Sequence, residues 1–255
     1  MIGMRRLTIF SFAFLLLFQS GVTAADKGPL KKGYDVYLLI GQSNMAGRGE
    51  MLEEDFLPME GIYLLDTTGK IVPATSPINK YSTIRKDLSL QGYSLGVSFA
   101  QAMHERNGRP VLLVVNARGG TAINSWEEGS LYYNEAVRRA RQAMRYGKLK
   151  AILWHQGESD ANEANEATLP LYPSKFKRLA KALRRDLGNV RIIMGEANYS
   201  YAKVGLINPE LHRAAKKVRR CTIVSAEGCE IKPDHLHFSR EGSRILGLRY
   251  AEALR

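Results

Sequence analysis

The sequence predicts an α/β fold, a three-layer α/β/α sandwich around a central parallel sheet, and two features of its patterning carry the prediction. Six short runs, at 36–40, 62–65, 111–115, 151–154, 190–194 and 222–224, are nearly continuous in apolar residues without polar alternation. Parallel strands look like this when helices cover both of their faces. Between the runs lie amphipathic stretches near 95–104, 131–146, 172–187, 209–218 and 239–254. Strand and helix therefore alternate along most of the chain.

Taken from the beginning, the chain opens with Arg5 and Arg6, an uncharged apolar run at 7–18, and small residues up to Ala24 and Ala25. That order is expected of a secretory signal peptide spanning 1–24. The run is well short of the roughly 20 residues that cross a bilayer as a helix. Export to a secreted or periplasmic location is expected, with no membrane attachment after cleavage. The remaining 25–255 suffices for one well-buried domain. Hydrophobic content of 45% and charged content of 24% are ordinary for a globular chain, which argues against disorder.

The net charge of +12 admits nucleic acid as a partner in principle. Its placement argues otherwise. The basic residues gather at positions such as Arg138, Arg139, Arg141 and Arg145, Lys175 to Arg185, and Lys216 to Arg220. All lie on segments of helical apolar spacing, so solvated outer helix faces are expected and nucleic acid is not. Cys221 and Cys229 are the two cysteines. In an oxidising compartment they are expected to close a small loop leading into Asp234 and His237, the alternative being two free thiols.

Open parallel sheets bind ligands beyond the carboxyl ends of their strands. The polar clusters respect that rule. Gly41-Gln42-Ser43-Asn44-Met45 follows the first run, Asn116 to Thr121 follows the third, and His155-Gln156-Gly157-Glu158-Ser159-Asp160 follows the fourth. Ser43 is a weak nucleophile unless a base is positioned beside it. The candidate base comes late, in Pro233-Asp234-His235-Leu236-His237-Phe238-Ser239. Asp234 and His237 are spaced i and i+3, so the carboxylate can hold the imidazole in the tautomer that leaves Nε2 free for Ser43.

The blocks GQSNMAGRG at 41–49, ARGGTAINSW at 117–126, WHQGESDA at 154–161 and DHLHFSREG at 234–242 together resemble the SGNH hydrolases, and within them carbohydrate esterase family six and the sialate O-acetylesterase-like proteins. The resemblance implies a flavodoxin-like fold and metal-free acyl transfer without a cofactor, with acetylated carbohydrate as substrate. Acetylated xylan is the first expectation and an O-acetyl sialic acid the second; a non-catalytic carbohydrate-binding protein on the same fold is the alternative outside enzymes. Carried over by position, Ser43 is the nucleophile and also an oxyanion donor through its N–H. Gly120 supplies a second N–H, and Gln156 stands where the parent pattern has an asparagine donor; a glutamine amide donates equally well. The triad acid stays open between Asp234 and Glu158. Gln42, Asn44, Arg118 and His155 are expected to line the substrate site, Arg118 either holding substrate or pairing with Glu158.

Other chemistries fit less well. His235 and His237 suggest a metal pair, but no further His or Cys cluster completes a site of three or four ligands. Glu158 and Asp160 suggest paired glycosidase carboxylates, a scheme that leaves Ser43 without a purpose. Ser43 alone reads equally well as a helix N-cap. Trp126 and Trp154 offer sugar-stacking faces, although packing is the default for a tryptophan inside a strand.

Overall fold

The alternation of apolar runs and amphipathic stretches is realised as a seven-stranded sheet flanked by helices on both faces. The structure is a computed structural model that describes residues 33–162 and 166–254, apart from the Glu166 side chain. The expected leader at 1–24 lies outside the described residues. The described residues belong to one unit.

In chain order the elements are β1 (Tyr34–Gly41), α1 (Ser43–Ala46), β2 (Ile62–Leu65), β3 (Ile71–Pro73), α2 (Leu95–Asn107), β4 (Val111–Ala117), α3 (Leu131–Ala143), β5 (Gly147–His155), α4 (Tyr172–Leu187), β6 (Arg191–Gly195), α5 (Val204–Lys216), β7 (Cys221–Val224) and α6 (Arg240–Glu252). The sheet order is β3-β2-β4-β1-β5-β6-β7. Every pair is parallel except β2 with β3. β3 is too short to show as an apolar run, and its terminal proline suits an edge strand. Helix α5 begins five residues before Pro209, the expected start. Burial of Ile207 and the bonds from Leu206 N–H and Ile207 N–H to the Lys203 carbonyl extend it upstream.

β1 explains the layering. Val36, Leu38 and Ile40 enter one core with α3, α4 and α5, whereas Tyr37 and Leu39 enter the other with α2 and α6. Two-sided burial removes the polar alternation, because successive strand side chains point to opposite faces.

Two expectations fail here. Cys221 packs against the first core and Cys229 sits in the second, and both are free thiols. The small loop they were expected to close is not closed, because its ends feed opposite faces of the sheet. Burial pushes the Cys221 thiol up to about 12. Arg139 is also no surface residue: it is fully buried, donates to the carbonyls of Leu65 and Asp66, and burial lowers its guanidinium to about 10.

Candidate active site

Register aligns the polar clusters before any side chain is considered. Gly41 at the end of β1 lies beside Ala117 on β4 and His155 on β5, so the three clusters leave the sheet as neighbours. Gly41 is at φ 141°, and a Cβ there would lie 2.1 Å from the His155 carbonyl oxygen. Only glycine permits that approach. The chain then turns into α1, held by the Gln42 N–H on the His155 carbonyl at 2.9 Å. Gln42, not Ser43, occupies the N-cap position, which frees the Ser43 hydroxyl from capping.

The late loop is organised by one carboxylate. Asp234 Oδ1 accepts from the backbone N–H groups of Leu236 and His237, at 2.9 and 2.8 Å. Its Oδ2 lies 2.8 Å from His237 Nδ1. An aspartate that closes its own turn in this way is a common loop device, and here the same side chain also fixes the imidazole. His237 Nε2 then stands 2.9 Å from Ser43 Oγ, 194 positions away in sequence. Ser43, His237 and Asp234 are thus brought together.

Burial pushes the Asp234 carboxyl up, but the bonds from His237 and Leu236 outweigh it and hold it at about 2. His237 is lowered below its ordinary value, by burial first and also by the nearby Arg48 and Lys232 charges, against the opposing pull of Asp234. Its neutral form, able to accept a proton, is favoured.

Glu158 does not reach His237. Its Oε1 accepts from Asn44 Nδ2 at 2.6 Å, and it is buried. Burial raises its pKa despite that bond. His155 lies 3.9 Å from the same oxygen, but burial lowers its imidazole to about 3. Both groups are driven toward neutrality, so this pair is not an ion pair.

Asn44 and His155 are also not exposed to substrate as expected. Asn44 donates to the Leu236 carbonyl at 3.2 Å and accepts from the Phe238 N–H at 3.2 Å, gripping the loop on both sides of His237. His155 lies beneath the crevice, with Nδ1 on the Tyr250 hydroxyl at 3.1 Å and its ring edge-on to Phe238. Gln42 lines the crevice, yet its Oε1 also receives the Gln156 amide and the Ser159 N–H, each at 3.3 Å.

Gln156 is not an available oxyanion donor. Its Nε2 is committed to Asp160 Oδ2 at 2.6 Å and to the Thr121 carbonyl at 2.8 Å, and the residue is 1% exposed. Arg118 is not paired with Glu158: it donates to the Ile84 carbonyl at 2.7 Å and lies over the Tyr132 ring. Trp126 and Trp154 are buried and packed edge to face with ring centres 5.5 Å apart, which removes them as stacking platforms. Among the described residues no group of three metal-binding side chains occurs.

The crevice over Ser43 has a volume of about 350 Å³, toward the small end of ligand pockets. Gly119 and Gly120 form part of its wall. A Cβ on Gly119 would lie 3.4 Å from Ser43 Cβ and 2.7 Å from Arg48 Nη2, and one on Gly120 would lie 3.3 Å from Lys86 Nζ. Arg48, Lys86, Leu90 and Tyr201 also line it, none of them singled out individually from the sequence. Arg48 had a signal, since it lies inside the GQSNMAGRG block. Lys86 and Leu90 come from the loop at 73–92 and Tyr201 from that at 197–206, segments whose place between elements is legible in the sequence and whose shape is not.

Residues 33–255 match the family described as carbohydrate esterase, sialic acid-specific acetylesterase. This chain belongs to that carbohydrate esterase family. A probable carbohydrate esterase of Arabidopsis thaliana is 30% identical over 236 residues, covering 86% of this chain and 89% of the relative. The crystal structure of the Arabidopsis protein superposes with a TM-score of 0.78 at 30% identity, covering 87% of this chain and 98% of that one. A carbohydrate acetylesterase from Xanthomonas citri superposes at 0.62 with 16% identity, covering 87% of this chain and 56% of that one. A lipase from a goat rumen metagenome superposes at 0.55 with 11% identity, over 86% and 97%. The last two likenesses show the fold alone, one that a carbohydrate acetylesterase and a lipase share. The matched range of the carbohydrate esterase family contains the blocks at the ends of β1, β4 and β5.

Proposed function

We propose that this carbohydrate esterase family member hydrolyses O-acetyl esters on polysaccharide, such as acetylated xylan, by serine-centred acyl transfer. The observation that carries the reading is the 2.9 Å approach of Ser43 Oγ to His237 Nε2 at the floor of the crevice. His237 takes the Ser43 proton as Oγ attacks the acetyl carbonyl. The resulting oxyanion is met by the N–H groups of Ser43 and Gly120, donors of a kind that each lower such barriers by about 3–4 kcal/mol. His237 returns the proton to the departing sugar oxygen, leaving acetyl-Ser43. Water, deprotonated by His237, then releases acetate. Asp234 holds the imidazole throughout.

A second reading, an O-acetyl sialic acid as substrate, is favoured by Arg48 and Lys86 in the crevice, which suit a sugar carboxylate. We further propose a secreted or periplasmic location, on the strength of the Arg5-Arg6 pair and the apolar run at 7–18 in the sequence. The test is Ser43→Ala assayed on an aryl acetate and on acetylated xylan. Loss of acetate release with unchanged thermal unfolding is expected; turnover comparable to the native protein overturns the assignment.

A further inference from the structure

Beside the crevice lies a second, larger cavity of about 860 Å³ that the proposed chemistry does not use. Arg48 and Leu90 line both cavities, so the two adjoin at these side chains. Its walls are fixed by backbone pairing. The segments at 47–49 and 92–93 exchange bonds between Gly49 and Tyr93, at 3.1 and 2.9 Å, and the Gly92 N–H meets the Gly47 carbonyl at 3.1 Å. On the other side, Lys232 donates to the Arg48 carbonyl at 3.2 Å and Arg240 is ion-paired to Asp55. Such a groove is formed before any ligand arrives, which lowers the ordering cost of binding.

The lining mixes apolar surface with charged groups. Met51 and the half-exposed Leu90 lie beside Lys232, Arg240 and Glu230. Sugars present apolar ring faces and a rim of hydroxyls, and this mixture meets both. A single acetylated sugar placed at Ser43 would leave the larger cavity empty, whereas a chain continuing from that sugar would enter it past Arg48 and Leu90.

We propose that this groove holds the sugar units flanking the acetylated one, so that the protein acts on a carbohydrate chain in preference to a monosaccharide. The inference rests on the acetylesterase reading above. Binding energy from such remote units is spent on orienting the ester, so truncated substrates lose kcat as well as affinity.

The experiment compares kcat/KM per acetyl group for acetylated monosaccharide and for acetylated oligosaccharides of increasing length, with an aryl acetate as reference. The proteins are the native chain, Glu50→Cys, and Glu50→Cys capped by a bulky maleimide. Glu50 lines the groove and not the crevice, and the two native thiols are raised by burial, so the new thiolate reacts first. A gain of about tenfold or more with chain length is expected, and it should vanish on capping while aryl acetate turnover is retained. Equal kcat/KM at all lengths, or a gain that survives capping, overturns the groove assignment and leaves the esterase reading standing. Absence of acetate release from every substrate overturns both.

Discussion

Asp234→Asn compared with Glu158→Gln tests which carboxylate orients His237. In the native loop Asp234 Oδ1 serves two backbone N–H groups and Oδ2 serves the imidazole. An asparagine has one acceptor oxygen, so it satisfies one side only. If its NH₂ faces the imidazole, Nδ1 must become the acceptor and Nε2–H then points at Ser43, the wrong tautomer. If its NH₂ faces the backbone, the turn that carries His237 loses two bonds. In a serine triad the wrong tautomer costs up to about 10⁴ in kcat. The Asp234 side chain is 42% exposed, so water can take over part of its task, and the expected loss is about 10²- to 10³-fold. That is about 3–4 kcal/mol of barrier at ~1.36 kcal/mol per tenfold. Glu158→Gln keeps an oxygen for Asn44 Nδ2 and replaces a carboxyl that burial already drives toward neutrality, so a loss within about threefold is expected. The assay is kcat on an aryl acetate, paired with the rate at which an organophosphate modifies Ser43. A Glu158→Gln loss equal to or greater than that of Asp234→Asn would refute the assignment.

The pH profile follows from the depressed His237. Protonation removes the base, so activity should rise with pH through a midpoint below 6.5, the ordinary histidine value. Arg48→Gln removes a neighbouring positive charge that disfavours the imidazolium, so its acid limb should move to higher pH; a shift in the opposite direction would contradict the placement of Arg48. Asn44→Ala leaves the buried Phe238 N–H without its acceptor and deprives Glu158 of its donor. Unsatisfied groups of this kind cost about 1–3 kcal/mol each, so a loss of about 3 kcal/mol and a Tm drop of about 6–12 °C are expected by calorimetry. Because Asn44 grips both flanks of His237, kcat should fall with little change in KM.

Asn44 shows what kind of information local sequence lacks. Its place in the GQSNM block suggests contact with substrate, yet its partners are Glu158, Leu236 and Phe238, which belong to two other segments. Gln156 failed as an oxyanion donor for the same reason. Its amide is spent on Asp160 and Thr121, and no spacing rule reveals whether a buried amide has already found its partners. The choice between Asp234 and Glu158 also required three dimensions. Both acids stand in plausible motifs, and the loop geometry alone puts Asp234 against Nδ1.

What the sequence determined by itself was the alternation of elements and the positions where chemistry leaves the sheet. Strands buried on both faces must be continuously apolar, and a parallel sheet must place its polar clusters at strand ends, so those features are written locally. Tertiary structure decided the rest: the register that sets Gly41 beside Ala117 and His155, the separation of Cys221 from Cys229 by the sheet, and the crevice walls of Arg48, Lys86 and Tyr201. These depend on which distant groups meet after packing, and a hydrogen bond across 194 residues leaves no periodicity in the chain to read.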